Sequence, residues 1–128
     1  MKTVLAALLC LGWMASEVGT ITVGDDRGGF LNFYIEKTER FRRSGERVRI
    51  MGRCDSACTL YLSLPRVCVG PNARLGFHQA SRPDGNPILL SYYPRPIRDW
   101  LDSVGGLPPF SSLVVLQGEA LRRLVPPC

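Results

Sequence analysis

The chain has 128 residues, 45% of them hydrophobic and 21% charged, with a formal net charge of +5. That is room for one domain; a dinucleotide-binding enzyme, a kinase or a solenoid of repeats needs more chain. A mean hydropathy of +0.04 excludes a polytopic membrane protein and a disordered polyampholyte, and 13 Gly with 10 Pro argue against an all-helical bundle.

Met1 and Lys2 give a short positive start, and Thr3 to Ala15 is almost wholly apolar. A bilayer span needs about 20 residues, so this run is too short and fits a secretory signal peptide over residues 1–16. The alternative is an uncleaved anchor or a buried first helix. Residues 17–128 are then one domain of about 110 residues, enough to bury roughly 65% of the unfolded surface. The expected destination is the bacterial periplasm or the medium, with no stable membrane span once the signal is removed. Cysteine usage agrees. Cys10 falls in the signal, which leaves Cys54, Cys58, Cys68 and Cys128. An even count in an exported chain predicts two disulfides. Three pairings are open, and Cys128 at the very end suggests a bridge that ties down the C-terminus. Cys54-x3-Cys58 has loosely zinc-like spacing, but without a second close pair and with one His, no metal and no cofactor are expected.

In chain order, the β-branched run Thr20–Val23 predicts a strand, and the loop at 24–29 is rich in turn residues. Phe30 to Arg43 carries apolar residues at helical spacing, with Gly45 as a C-terminal cap. Arg47–Met51 alternates as a strand, a turn follows at 52–55, and Ser56–Leu64 is a second helix. Arg66–Val69 and Arg74–Phe77 are short strands on either side of the Pro71-Asn72 turn. Residues 81–87 make a polar loop, Ile97–Val104 a helix closed by Gly105-Gly106, and Leu116–Leu124 the last helix. The order β-α-β-α-β-β-α-α predicts a small α/β domain with parallel βαβ units.

The chemistry centres on Ser56 and His78. Ser56 follows a strand and opens a helix, where free N–H groups and the helix dipole can stabilise an oxyanion. The N–H of Ala57 is one such donor. A serine nucleophile also needs a base, and His78, the chain's single histidine, stands at the end of a predicted strand. The plain alternative makes Ser56 an ordinary helix cap and His78 a structural or exposed side chain.

The segments around the pair carry a resemblance. Residues 48–80 resemble the catalytic half of the Clp protease proteolytic subunit/crotonase superfamily. Met51-Gly52-Arg53-Cys54-Asp55-Ser56 matches the M-G-x-x-x-S pattern of its nucleophile, and Pro71-Asn72 and His78-Gln79 stand where that family has its turn and its base. The similarity is closer to small exported bacterial members with S-A-C-T and L-G-F-H, reproduced by Ser56-Ala57-Cys58-Thr59 and Leu75-Gly76-Phe77-His78. Gly28-Gly29 stands for the end of the family's S-P-G-G loop, with Arg27 in place of its Pro. The resemblance covers residues 20–80 well and the last 48 poorly. It implies a single small Clp protease/crotonase-like domain of repeated β-β-α and βαβ units. It also implies Ser56 as nucleophile, His78 as general base, and an oxyanion hole from Ala57 with Gly28 or Gly29. The implied activity is hydrolysis of peptides or esters by a protein that assembles as a homo-oligomer. The family's third triad member is an acid well beyond the His; Asp99 and Asp102, three apart on a predicted helix, are the candidates.

A different class of function keeps the fold and drops the chemistry: a catalytically inactive binding or assembly module. A third treats the chain as a disulfide-stabilised interaction protein. The arginines at 40–53 are mixed with Glu36, Glu39 and Glu46 and predict a solvated face rather than a nucleic-acid surface. Tyr92, Tyr93 and Trp100, with Pro94 and Pro96, suggest a covering loop and a packed helix.

Overall fold

The computed structural model describes residues 18–128, so the expected signal segment at 1–16 lies outside the described residues. The chain order is β1 (Thr20–Asp26), α1 (Leu31–Ser44), β2 (Arg47–Asp55), a 3-10 helix (Ser56–Ser63), β3 (Val67–Val69) and β4 (Arg74–Phe77). It continues with α2 (Gly85–Tyr92), α3 (Arg95–Ser103), β5 (Val114–Gln117) and α4 (Gly118–Leu124). The result is a small mixed α/β domain.

β2 organises the sheet. β1 pairs parallel to it along one edge, from Arg47 to Cys54, after the α1 crossover. The other edge is shared: β3 pairs with its first half at Val48–Ile50 and β4 with its second half at Arg53–Asp55, both parallel. β5 then closes antiparallel on β4. A strand has only two hydrogen-bonding edges, so the length of β2 is what lets three strands use it. That length was not expected. Arg47–Met51 predicts a short strand and 52–55 a turn, whereas β2 runs on to Asp55. The strand passes the glycine through a bulge: β1 advances from Val23 to Asp25 while β2 advances from Ile50 to Arg53. At Gly52 the backbone of Gly24 comes so close that any Cβ would strike its carbonyl oxygen.

The core gathers residues of the sheet, the 3-10 helix and the flanking α-helices. Val48, Ile50, Leu60, Leu75, Phe77, Ile97, Leu101, Leu116 and Leu121 are all at most 1% exposed. Burying each such side chain contributes about 1.5–3 kcal/mol. The predicted second helix is present but wound as a 3-10 helix, buried continuously from Ala57 to Leu62. Thr59 Oγ1 donates back to the Ser56 carbonyl at 2.5 Å, which tightens its first turn. α1 lies over it, with the Phe41 and Tyr61 rings 5.8 Å apart.

Two elements depart from the predicted order. α2 begins inside the stretch read as a polar loop, at Gly85, and runs on to Tyr92, and β5 precedes the last helix where Leu116 was read as helical. Tyr93 is not on a covering loop but 3% exposed in the core, sharing a 2.7 Å hydrogen bond with Thr59. Burial pushes its phenol up to about 12, against the opposing pull of that hydrogen bond.

The disulfides are Cys54–Cys58 and Cys68–Cys128. The second ties the chain end to β3, supported by Val69 N–H donating to the Pro126 carbonyl at 2.9 Å and Cys128 N–H to the Val69 carbonyl at 3.0 Å. Both bridges are consistent with an oxidising, exported environment. With all four described cysteines in bridges, the Cys54-x3-Cys58 spacing supplies no thiolates, and no metal-holding cluster of His, Cys, Asp and Glu occurs among the described residues. No helix among them is long and apolar enough to cross a membrane.

Candidate active site

Ser56 sits where β2 ends and the 3-10 helix begins. Its φ is 57°, the only positive value among the described non-glycine residues. The left-handed region disfavours a residue with a Cβ, and such positions persist only where the surroundings enforce them. Here the Cys54–Cys58 bridge brackets the turn, closing a ring over Asp55, Ser56 and Ala57, with both cysteines fully buried. The strained turn lifts the Ser56 side chain out of a buried neighbourhood: Asp55 and Ala57 are buried, Ser56 only half-buried. The helix-cap alternative finds no support. The residue in the cap position is Asp55, no side chain caps that helix, and Ser56 Oγ makes no hydrogen bond among the described residues.

Gly28, at φ 84°, presses on the same turn. A Cβ there would lie 2.7 Å from the Asp55 carbonyl oxygen, 2.8 Å from Ser56 Cβ and 3.1 Å from Ala57 N. The two glycines are not equivalent as donors. Gly28 N–H is already taken by Asp26 Oδ1 at 2.8 Å, an Asx turn that also accepts the Tyr34 hydroxyl at 2.6 Å. Burial, reinforced by that hydrogen bond to the carboxylate, holds the Tyr34 phenol well above the ordinary tyrosine range. Gly29 N–H has no acceptor among the described residues and remains free. Asp26 and Tyr34 were not singled out from the sequence, although an Asp two residues before a Gly is a recognisable Asx-turn signal.

His78 follows β4 and is half-buried. Its predecessor Phe77 is anchored in the core by edge contact with Tyr93, ring centroids 5.3 Å apart, and by Trp100 at 5.7 Å. The His78 ring meets Phe110 edge to face at 5.1 Å. Its Nδ1 lies 2.5 Å from the Gln79 carbonyl oxygen.

One cavity of about 790 Å³ collects these groups: Gly28, Gly29, Ser56, Ala57 and His78 all line it. Leu31, Ile88, Leu89, Phe30 and Phe110 give it an apolar wall. Its charged lining is Arg27, Arg82 and Asp84, the last two joined by an exposed ion pair at 3.4 Å. The nucleophile, base and oxyanion-donor candidates thus line one cavity, though no hydrogen bond joins Ser56 Oγ to His78 among the described residues. Asp99 and Asp102 are elsewhere. Both are exposed on α3, outside the cavity lining, and Asp99 pairs with Arg95 at 3.8 Å.

No family model, no curated protein and no solved structure matches the chain.

Proposed function

We propose that this protein is an exported serine hydrolase that cleaves peptides or esters by acyl transfer to water. The observation that carries the reading is a left-handed, non-glycine serine lining the same cavity as the chain's single histidine. Ser56 Oγ attacks the carbonyl carbon as His78 takes its proton. The tetrahedral oxyanion accepts from the N–H groups of Ala57 and Gly29. Collapse breaks the scissile bond, and the leaving amine or alcohol receives the proton held by His78. A water then repeats the sequence on the acyl-serine, releasing the carboxylic acid and restoring Ser56. The resemblance to the Clp protease/crotonase superfamily supports the same roles for Ser56, Ala57 and His78, and extends the proposal to that fold, a homo-oligomeric assembly and a periplasmic location. Apo catalytic hydrogen bonds are often loose, so the absence of a Ser56–His78 bond is compatible with the pair.

The test is a fluorophosphonate probe on the oxidised protein, with the adduct mapped by mass spectrometry. The expected result is an adduct on Ser56, abolished by Ser56→Ala and reduced at least 100-fold by His78→Ala. A second reading, a catalytically inactive binding module on the same fold, draws on the exposure of Phe30 at 88% and Phe110 at 59% on the cavity wall. A folded protein that takes no label turns the assignment to that module.

A further inference from the structure

We infer that the third member of the site is a main-chain carbonyl, that of Gln79, aimed at His78 by Asn86. This rests on the reading of Ser56 and His78 as nucleophile and base. In a Ser-His-acid triad the acid fixes the tautomer and orientation of the imidazole and favours the imidazolium that forms. The Gln79 oxygen meets the first two requirements. It lies 2.5 Å from His78 Nδ1, and a carbonyl can only accept, so Nδ1 carries the proton and Nε2 keeps the lone pair a general base needs. Its partial negative charge meets the third requirement more weakly than a carboxylate would.

The carbonyl is held in place through its own peptide unit. The Gln79–Ala80 peptide is planar, so the direction of the Ala80 N–H dictates the opposite direction of the Gln79 C=O. That N–H donates to Asn86 Oδ1 at 2.7 Å, from the first turn of α2. On the other side, Gln79 N–H donates to the Pro108 carbonyl at 2.8 Å and Gln79 Nε2 to the Leu107 carbonyl at 3.1 Å. The segment after His78 is therefore pinned between α2 and the 107–108 loop, which continues to Phe110 against the imidazole. The carboxylate in the shared cavity, Asp84, is turned to Arg82, with Arg27 as the remaining charge there. Asn86 touches neither the cavity nor the reacting atoms and acts as a positioning residue.

With a single histidine, the protein gives an unambiguous imidazole signal. Long-range proton–nitrogen NMR on the oxidised protein, above the pH at which the imidazole is protonated, should find the Nδ1–H tautomer in at least nine-tenths of molecules. Asn86→Ala should mix the tautomers and slow Ser56 labelling about tenfold, and Asn86→Asp, which keeps the acceptor oxygen, should restore both to within threefold. Asp84→Asn, Asp99→Asn and Asp102→Asn should each label within threefold of the parent. An Nε2–H tautomer, or a 100-fold loss in any of the three aspartate variants, overturns the inference. An unlabelled parent overturns the proposed hydrolase instead, and the tautomer and its response to Asn86 then decide the positioning claim by themselves.

Discussion

The two disulfides are the same bond set to different tasks. Cys54–Cys58 spans a sequence separation of 4 and Cys68–Cys128 one of 60. The short bridge removes little freedom from an unfolded chain, but it surrounds Ser56 and holds a turn that its backbone would otherwise avoid. The long bridge removes far more freedom and lies outside the cavity, fastening the chain end beside β3. Separation along the chain sets what a cross-link does to the unfolded state; position in the fold sets what it does to the site.

The largest expected effect comes from the long bridge. By loop-closure entropy the Cys68→Ala/Cys128→Ala pair should lose about 4 kcal/mol of stability, a fall in Tm of roughly 15 °C. At temperatures where that variant is folded, Ser56 labelling should stay within about threefold of the parent, because the bridge touches nothing in the cavity. Thermal melts followed by probe kinetics on the same samples check both halves. Next is the short bridge. Cys54→Ala/Cys58→Ala should lose only about 2 kcal/mol by the same relation, yet slow labelling at least tenfold. If the two pairs ranked the same way in both measurements, the division of labour would be wrong. The smallest effect tests the strain directly. Glycine tolerates positive φ without a Cβ penalty, so Ser56→Gly should be more stable than Ser56→Ala by about 1 kcal/mol, measured by urea unfolding. The reverse order would mean that the turn stores no strain.

The contrast between the two bridges also separates what was readable from what was not. Four cysteines left outside the apolar start predict two bridges, and the terminal position of Cys128 already suggests that it ties down the chain end. Nothing in the spacing says that Cys54 pairs across Ser56 rather than with Cys68. The β1–α1–β2 unit and β4 were legible because β-branched alternation and helical periodicity are local signals. α2 was not: its stretch opens with Gly85-Asn86-Pro87, a turn-like composition, and its helix is favoured by burial of Leu89 beneath it. β5 was missed because four residues, Val114–Gln117, carry too short a pattern to be told from a helix start.

Within the candidate site, Ser56, Ala57 and His78 were picked out from residue type and local placement together with the resemblance of the segments around them. The sequence by itself determined a mixed α/β domain with two disulfides and a serine–histidine pair worth testing, because composition, periodicity and residue chemistry are properties of the chain. Tertiary structure alone decided which cysteines meet, that Gly28 N–H is spent on Asp26 while Gly29 N–H is free, and that a main-chain carbonyl stands beside His78. Main-chain donors and acceptors are the same at nearly every residue. Their roles depend on where the fold points them, and no residue letter records that direction.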